Sequence, residues 1–482
     1  MKYPFNNFSG SISLILILFL FSRLAIAQIQ NQKPNVVLIN VDDLGWKDVG
    51  FMGSTYYETP NIDQLSKEGM VFTQGYAAAA NCAPSRACLM SGQNTPRHGV
   101  YTVANSDRGH TKTRKIIPIA NTQHISDEML TMAEMFKMAG YKTGTFGKWH
   151  ITKNPLNDGF DVNIGGNGSG SPGKNGYTAP YNGKPNLEIA PVGENLTDRL
   201  TSETIQFIKD NKHHPFFVYL PYYAVHTPLM GKEALIQKYK EKGGRDGQDN
   251  PVFAAMVENV DTNIGRLLQL LDKLNLTKNT IIVFTSDNGG IRSISTQDPL
   301  RAGKGSYYEG GTRVPYIFKW PKIIEAGSTN NTPIVNMDLF PTFKIILNVD
   351  LPDKILDGVD IMPLLQGKKI QERALYWHFP IYLQAYNSKD DDGRDPLFRT
   401  RPGSTILYKN WKLHQYFEDG GLELYNLTTD IGERNNLIEN NSDKAKELLE
   451  MMESWRKKIN APVPKEFNPE YDSNYIPKLK SK

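Results

Sequence analysis

Runs of apolar residues alternate with amphipathic segments along most of the chain. Apolar runs that predict buried strands occupy residues 34–43, 215–220, 280–286 and 314–320. Between them, apolar positions recur with the period of an amphipathic helix at residues 127–138, 196–209 and 252–274. Strands that are apolar throughout are typical of a sheet buried on both faces. The pattern therefore predicts an α/β fold in which helices cover both faces of a large sheet.

The pattern changes near residue 370. Short strand-like segments follow at residues 374–378, 405–408, 411–416 and 422–425, and a helix is predicted at residues 442–459. This change predicts a main domain at residues 33–369 and a smaller α+β subdomain with an antiparallel sheet at residues 370–482. Two irregular segments, 164–186 and 382–402, are expected to be long loops.

The N-terminus has the features of a cleaved secretory signal. Lys2 precedes the apolar run 12–21, and the small residues Ala25 and Ala27 mark a cleavage site after Ala27. The alternative is an uncleaved membrane anchor, but the run is shorter than the roughly 20 residues that a spanning helix requires. We therefore expect residues 1–27 to be a signal peptide and the mature protein to be secreted or periplasmic, without stable membrane insertion.

Composition and charge narrow the functional classes. Of the 482 residues, 39% are hydrophobic and 22% are charged, as in ordinary globular proteins. The formal net charge is only +4 and no concentrated basic stripe is present, which argues against a nucleic-acid partner. The two cysteines, Cys82 and Cys88, exclude a disulfide framework and a multi-cysteine zinc site, although a single bridge between them remains an alternative.

Acidic residues follow two of the predicted strands. Asp42 and Asp43 end the first apolar run, and Asp287 follows the run 280–286. In open α/β sheets, ligands bind at the carboxyl ends of the strands. These acids therefore predict a ligand or metal site at that edge of the sheet. The alternative is that they are helix caps or solvent-facing charges.

One of the cysteines lies in an informative segment. Cys82 begins a predicted short helix in the sequence Asn-Cys-Ala-Pro-Ser-Arg-Ala, with Arg86 one turn further on. The N-terminus of a helix offers free N–H groups and partial positive charge, which suit an anionic ligand. The alternative is a buried, inert cysteine.

The motif Cys82-x-Pro84-Ser85-Arg86 resembles the maturation signature of the type I sulfatases, a family of the alkaline-phosphatase superfamily. Other segments that resemble this family follow its order at residues 41–45, 145–150, 223–228, 285–290, 301–305, 309–315, 338–342, 357–360 and 423–426. The resemblance covers residues 34–460. It implies a mixed, mainly parallel sheet between helices and a catalytic domain at residues 33–369.

In this family the cysteine is oxidised to Cα-formylglycine, which implies the same modification at Cys82. One hydroxyl of the hydrated aldehyde attacks sulfur and expels the alcohol. Loss of a proton from the other hydroxyl then releases sulfate and restores the aldehyde, so the nucleophile regenerates itself. A formylglycine-generating or anaerobic sulfatase-maturating enzyme is therefore an expected partner.

The resemblance also implies one calcium ion per chain. Its expected ligands are Asp42, Asp43, residue 82, Asp287 and Asn288. The three aspartates and the asparagine offer only oxygen donors, which calcium prefers, whereas zinc usually recruits histidine or cysteine. Such an ion polarises a sulfate oxygen and stabilises developing charge.

Five further residues receive catalytic roles from the resemblance. Arg86 is expected to hold the aldehyde hydrate and the neighbouring metal ligands. Lys148 and Lys304 are expected to contact sulfate oxygens, and Lys304 lies near the leaving oxygen. His150 is expected to accept the proton that releases sulfate, while His226 protonates the leaving alcohol. Taken singly, each lysine is compatible with a surface charge and each histidine with packing.

The sequence departs from the family pattern after the cysteine motif. Ser91, Gly92 and Gln93 stand where many relatives have Thr-Gly-Arg, which puts the subfamily in doubt. Arg97 and His98 follow closely and are candidates for the substrate pocket. A structural role for these two residues is equally compatible with the sequence.

A sulfated polysaccharide, or an oligosaccharide derived from it, is the expected substrate. The expected export and the family's frequent action on glycans favour this substrate. Aromatic residues in the irregular loops are suited to sugar rings, although the same residues can serve packing: Tyr177, Tyr181, Trp377, Tyr382 and Tyr386. Two alternatives remain, a phosphate or phosphonate ester hydrolase of the same superfamily and a catalytically silent fold that binds sulfated glycans.

Overall fold

The computed structural model describes residue 1 and residues 33–188 and 190–480. The signal peptide expected at residues 1–27 lies, apart from Met1, outside these residues. Within the described ranges, no helix combines the length and the apolar character needed to cross a bilayer.

The helices and strands follow in chain order. The strands of the main sheet and of its short companion pair are β1 Asn35–Val41, β2 Met70–Phe72, β3 Gly75–Tyr76, β4 Lys142–Phe146, β5 Val162–Ile164, β6 Phe216–Pro221, β7 Thr280–Ser286, β8 Tyr316–Lys319, β9 Ser328–Asn330 and β10 Ile334–Val335. The C-terminal strands are β11 Leu375–Phe379, β12 Leu383–Gln384, β13 Phe398–Thr400, β14 Gly403–Tyr408, β15 Trp411–Tyr416 and β16 Leu422–Asn426. The α-helices are α1 Pro60–Glu68, α2 Cys82–Ser91, α3 Thr95–His98, α4 Met132–Met138, α5 Leu196–Asn211, α6 Glu233–Lys242, α7 Pro251–Lys273, α8 Glu309–Thr312, α9 Leu339–Leu347, α10 Met362–Leu365 and α11 Ser442–Lys458. Short 3-10 helices cover Gly50–Met52, Thr111–Thr113, Pro155–Asp158, Thr277–Asn279 and Asn336–Asp338.

The main sheet has eight strands in the order β5-β4-β6-β1-β7-β8-β2-β9. The five strands from β5 to β7 are parallel, whereas β8 runs antiparallel to both β7 and β2. All seven residues of β1 are buried. Val37, Ile39 and Val41 contribute to the hydrophobic cluster that includes α5 and α7, and Val36 and Leu38 to the one that includes α4 and α9. The predicted fold class is therefore confirmed: a mixed, mainly parallel sheet lies between helices.

The C-terminal region forms a second sheet, with the antiparallel order β11-β14-β15-β16. One face packs on α11, where Leu413 and Leu424 meet Leu448 and Met452. The other face packs against the main domain, where Trp377 contacts Tyr76 edge to face. The two sheets therefore share a continuous apolar interface.

Strand β4 was not predicted, and the predicted helix α4 begins later than expected, both for identifiable reasons. Strand β4 reads Lys-Thr-Gly-Thr-Phe and has no apolar run, because Gly144 lies under the ring of Phe146 and leaves no room for a side chain. Helix α4 begins five residues later than predicted. Thr131 caps it, since its hydroxyl accepts from the N–H of Glu134 and the Glu134 carboxylate accepts from the N–H of Thr131.

A buried ion network connects α8 with the C-terminal sheet. The ammonium of Lys412 on β15 lies 2.8 Å from Glu309 Oε1 and 3.3 Å from Glu433 Oε1, and all three side chains are fully buried. Glu309 also pairs with Arg313 at 2.9 Å. Loss of one member of such a network leaves an uncompensated buried charge.

We expect Lys412→Met to destabilise the protein by about 3–5 kcal/mol, because Glu309 and Glu433 lose their shared cation. Urea unfolding followed by tryptophan fluorescence measures the change. Lys409→Met is the matched control, since Lys409 is solvent-exposed and forms its ion pair with the exposed Glu372. Equal urea midpoints for the two variants would contradict a stabilising role for the network.

Candidate active site

Acidic residues lie side by side at the carboxyl edge of the main sheet. Strands β1 and β7 are parallel neighbours, and Val41 is opposite Ser286. The residues that follow them, Asp42 and Asp43 on one strand and Asp287 on the other, are all at most 2% exposed. The N–H of Asp43 donates to Asp287 Oδ1 at 3.2 Å. The sheet register therefore brings the predicted acids together.

Cys82 faces these acids. It is the first residue of α2 and is 3% exposed. Its sulfur and one carboxylate oxygen each of Asp42 and Asp287 all lie within 4.8 Å of one another. The start of α2 is fixed by Asn336, whose amide donates to the hydroxyl of Ser85 at 2.9 Å. Both cysteines of the chain are free thiols.

Three buried cations pair with the three carboxylates. The pairs are Arg86 with Asp287 at 2.7 Å, Lys148 with Asp42 at 2.7 Å, and Lys304 with Asp43 at 2.6 Å. We call these six side chains the ion cluster. Because the carboxylates and the cations are equal in number, the cluster is neutral overall, and burial makes each pairing strongly dependent on the others.

Arg86 connects several parts of the cluster. Besides its bond to Asp287, it donates to the backbone oxygen of Lys148 at 2.8 Å and approaches Asp42 Oδ1 at 3.5 Å. It also donates to the hydroxyl of Tyr219 at 3.5 Å. The guanidinium therefore holds the acids of two strands and the loop that carries Lys148 in one arrangement.

Close backbone contacts position the two lysines. An added Cβ at Gly147 would lie 2.1 Å from the oxygen of Pro221, so only glycine permits Lys148 to donate its N–H to that oxygen at 2.7 Å. The N–H of Lys304 donates to the oxygen of Gly290 at 2.8 Å. An added Cβ at Gly289 would lie 1.9 Å from the oxygen of Gly310. These glycines are needed for the loops to reach the acids.

Burial and charge shift the pKa values of the cluster in different directions. Burial raises the pKa of Asp42 well above its usual range, and the neighbouring charges of Asp287 and Asp43 add to the rise although Lys148 opposes it. Burial also opposes ionisation of Asp43, but Lys304 and His226 outweigh it and lower the pKa. The nearby cations therefore do not fully offset the cost of burying an ionised Asp42.

Two oxygens of the cluster region lack a hydrogen-bond donor within the described residues. They are Asp42 Oδ1 and Asn288 Oδ1, and both are buried. The amide nitrogen of Asn288 is already used, since it donates to Asp43 Oδ1 at 2.8 Å and to the oxygen of Gly289 at 2.9 Å. A buried oxygen without a donor is costly unless a cation meets it. Three carboxylates and one amide oxygen form a donor set that fits calcium.

His150 follows Lys148 in the same loop. Its φ of 65° turns the chain, and its N–H donates to the oxygen of Asn167 at 3.0 Å. Gly170 lies against the ring, where an added Cβ would be 2.3 Å from Cε1. Burial, together with the charges of Lys148 and Arg86, lowers the pKa of His150 well below its usual value. The ring is therefore neutral and available to accept a proton.

His226 lies on the other side of Asp43. Its Nδ1 is 2.6 Å from the oxygen of Thr227, so Nδ1 carries the proton and Nε2 faces Asp43 Oδ2 at 3.8 Å. Burial and the charge of Lys304 lower the pKa of His226 to about 4, although Asp43 opposes this shift. A neutral ring thus presents an acceptor at Nε2, and donation from that atom requires a second proton.

The structure does not bring Arg97 and His98 to the ion cluster. The Nε of Arg97 pairs with Asp357 at 2.7 Å. His98 Nδ1 accepts from the N–H of Val100 at 3.1 Å, and its Nε2 lies 3.4 Å from Cys88 Sγ. Burial lowers the pKa of His98 to about 3. Both side chains therefore have structural partners, and we leave them out of the site.

Four of the five loop aromatics are packed in the interior. These are Tyr177, Tyr181, Trp377 and Tyr382, each at most 4% exposed. Tyr177 nevertheless supports the site, because its hydroxyl donates to the backbone oxygens of Tyr223 and His226 at 2.6 and 2.7 Å. The fifth, Tyr386, is half-buried and stacks on Arg399 with 3.4 Å between the guanidinium carbon and the ring centroid.

Comparison with known proteins is consistent with this geometry. Residues 34–349 match the family model described as Sulfatase, and residues 303–460 match the model for the C-terminal part of N-sulphoglucosamine sulphohydrolase. A sulfatase of Formosa agariphila is 33% identical over 90% of this chain and 90% of its own length. The N-acetylgalactosamine-6-sulfatase of Mus musculus is 33% identical over 72% of this chain and 69% of its own.

A solved structure is also similar to this chain over most of its length. The crystal structure of Ps i-CgsB in complex with k-i-k-neocarrahexaose is 31% identical, has a TM-score of 0.74, and covers 91% of this chain and 95% of its own. The family model spans more than half of the chain, and its match includes every residue of the ion cluster. The chain therefore belongs to the sulfatase family and is a sulfuric ester hydrolase.

Proposed function

We propose that this protein is a calcium-dependent sulfatase that removes sulfate from a sulfated saccharide with a formylglycine derived from Cys82. The observation that carries the proposal is the convergence of the ion cluster on Cys82. A sulfate ester needs cationic groups around its oxygens and a nucleophile next to its sulfur. Lys148 and Lys304 are buried cations whose charges both act on Cys82.

The calcium ion is proposed to be held by Asp42, Asp43, Asp287, Asn288 and residue 82. The support is the set of oxygen donors, two of which accept no hydrogen bond from the described residues. When bound, the ion polarises a sulfate oxygen and stabilises the charge that develops in the transition state. Arg86 orients Asp287 and Asp42 toward the same point and is a positioning residue.

The proposed modification at Cys82 rests on the sequence motif and on the surroundings of the side chain. Burial raises the pKa of the thiol, but Lys148 and Lys304 outweigh it and lower the pKa. A surrounding that favours negative charge at this position suits a nucleophile that loses a proton. A maturating enzyme is the proposed partner for this step.

The two histidines are proposed to act at different steps. His226 donates to the leaving alcohol oxygen after it has gained a second proton, a form that the nearby Asp43 favours although burial and Lys304 oppose it. His150 is neutral and accepts the proton whose loss releases sulfate. A sugar alkoxide is a poor leaving group, so acid assistance from His226 matters most for sugar sulfates.

A saccharide substrate is supported by the relatives. One is named N-acetylgalactosamine-6-sulfatase, and a solved structure that is 31% identical is a complex with k-i-k-neocarrahexaose. The expected signal peptide supports an exported protein that meets extracellular polysaccharide. A phosphate or phosphonate ester hydrolase remains the second candidate, because the same cations would also suit a phosphoryl group. A silent binding fold is disfavoured, since the nucleophile position, the acids and the cations are all present.

We expect the protein co-produced with a formylglycine-generating enzyme to release sulfate from at least one sulfated oligosaccharide in a panel, and Cys82→Ala to release none. The reason is that alanine cannot be converted to the aldehyde. Ion chromatography of free sulfate measures the reaction, and peptide mass verifies the aldehyde. Cys88→Ala is the matched control, because Cys88 is the other buried cysteine and should be dispensable.

Faster release of phosphate than of sulfate from matched esters would replace the proposal with the second candidate. Sulfate release by Cys82→Ala at the wild-type rate would contradict the role of Cys82.

We expect His226→Gln to lower kcat/KM for a sugar sulfate by about 100- to 10,000-fold and to lower that for 4-nitrophenyl sulfate far less. Nitrophenolate leaves without a proton, whereas a sugar alkoxide needs one. His150→Gln should lower kcat for both substrates alike and leave kcat/KM nearly unchanged, because His150 acts after the alcohol has left. Steady-state kinetics on the two substrates test the assignment, and equal losses in His226→Gln on both would refute it.

A further inference from the structure

Arg399 lies beside Lys304, and within the described part of the chain no carboxylate is hydrogen-bonded to it. It belongs to β13 and is 4% exposed. Its Nε donates to the oxygen of Gln384 and one terminal nitrogen to the oxygen of Lys304, both at 3.0 Å. The carboxylate of Asp391 also faces Arg399, but it accepts from the backbone N–H groups of Tyr386 and Asn387. The positive charge of Arg399 is therefore only partly balanced.

Tyr386 joins Arg399 to the ion cluster. Its ring is half-buried and stacked on the Arg399 guanidinium. Burial raises the pKa of Tyr386, but the charges of Arg399 and Lys304 outweigh it and hold the pKa below its usual value, while Asp43 and Cys82 oppose them. The hydroxyl therefore lies within electrostatic reach of the nucleophile position.

Arg108 reaches the same place from another loop. The oxygen of Ser106 accepts from the N–H of Tyr382 at 2.8 Å. Gly109 lies against the ring of Phe398, where an added Cβ would be 2.6 Å from Cε1. Arg108 stands between these two anchors, next to the hairpin of β12 and β13 that carries Tyr386 and Arg399.

The C-terminal tail holds this loop from the outside. The ring of His110 stacks on Tyr475 with 4.4 Å between centroids. The amide of Asn468 donates to the oxygens of Thr111 and Arg114 at 2.9 and 2.7 Å. The loop that carries Arg108 is therefore held on both sides, so the backbone at Arg108 has a defined position.

The side chain of Arg108 makes no hydrogen bond or ion pair with any other residue in the described part of the chain. It is half-buried, and burial together with the like charge of Arg399 lowers its pKa, while Tyr386 and Cys82 oppose the shift. Two partly dehydrated guanidinium groups that repel each other are unfavourable without an anion between them. The formal charges of the ion cluster already balance each other, so these two arginines add positive charge beside it that Asp391 balances only in part.

We propose that Arg108, Tyr386 and Arg399 form a second anion site, which receives a sulfate or carboxylate group of the same saccharide whose sulfate ester is hydrolysed at Cys82. The inference rests on the proposed function and specifies its substrate class as a saccharide with at least two negative groups. The scissile sulfate takes Lys148 and Lys304, and the second group takes the two guanidiniums. Planar guanidinium groups suit both sulfate and carboxylate oxygens.

The test compares matured wild type with Arg108→Gln and Arg108→Lys on disaccharides that share one scissile sulfate. One disaccharide has a neutral neighbouring group, one a second sulfate and one a uronic carboxylate, and 4-nitrophenyl sulfate is the singly charged reference. Wild type should prefer one doubly charged disaccharide over the neutral one by about 10- to 100-fold in kcat/KM, mainly through KM. The preferred disaccharide identifies the second group as sulfate or carboxylate.

Arg108→Gln should remove most of this preference, and Arg108→Lys should restore part of it, because the charge returns without the planar geometry. Lys112→Gln is the control, since Lys112 lies in the same loop but pairs with Asp472. It should keep the wild-type preference. No preference in wild type, an equal loss on all substrates in Arg108→Gln, or the same loss in Lys112→Gln would overturn the inference.

Calorimetry with the preferred disaccharide separates this inference from the proposed function. If no substrate is hydrolysed, the proposed function fails. The second anion site then stands only if wild type binds the doubly charged disaccharide at least about tenfold more tightly than Arg108→Gln does. Equal affinities would refute it.

Discussion

The pairing of three buried carboxylates with three buried cations is the constraint on which the rest of the structure depends. Asp42, Asp43 and Asp287 cannot all remain ionised in the interior unless cations stay close to them. The parallel register of β1 and β7 brings the acids together, and Arg86 on α2 crosses between the two strands. The same arrangement places Cys82 among the acids, where Lys148 and Lys304 lower the pKa of its thiol although burial raises it.

Much of the fold serves to bring loops to this cluster at short range. Glycines at positions 147 and 289 allow backbone contacts that no side chain would permit. The C-terminal region contributes as well, because Lys412 on its four-stranded sheet pairs with Glu309 of α8, and the separate strand pair of β12 and β13 supplies Arg399. The backbone oxygen of Lys304 accepts from Arg399, so the C-terminal region contacts the loop that carries this lysine.

The sequence predicted the parts of the molecule that depend on local pattern. The apolar runs predicted β1, β6, β7 and β8, and the acids after β1 and β7 were correctly expected to meet at one edge of the sheet. Strand β4 was not predicted, because close packing of the Phe146 ring requires glycine at position 144 in place of an apolar residue. The environments of His226 and Arg108 depend on loops distant in sequence, such as the contact of Gly109 with Phe398, and no local pattern encodes them. Loop composition likewise did not reveal that Tyr177 and Trp377 are interior residues.

The most direct test of the account is a calorimetric titration of calcium into the metal-free protein. The account predicts one ion per chain for the wild type and loss of binding in Asn288→Leu, which removes a buried oxygen that has no donor. Asn35→Leu, at the opposite end of β1, is the matched buried control and should keep the ion. Absence of calcium binding in the wild type, or unchanged binding in Asn288→Leu, would contradict the assignment of this cluster as the metal centre.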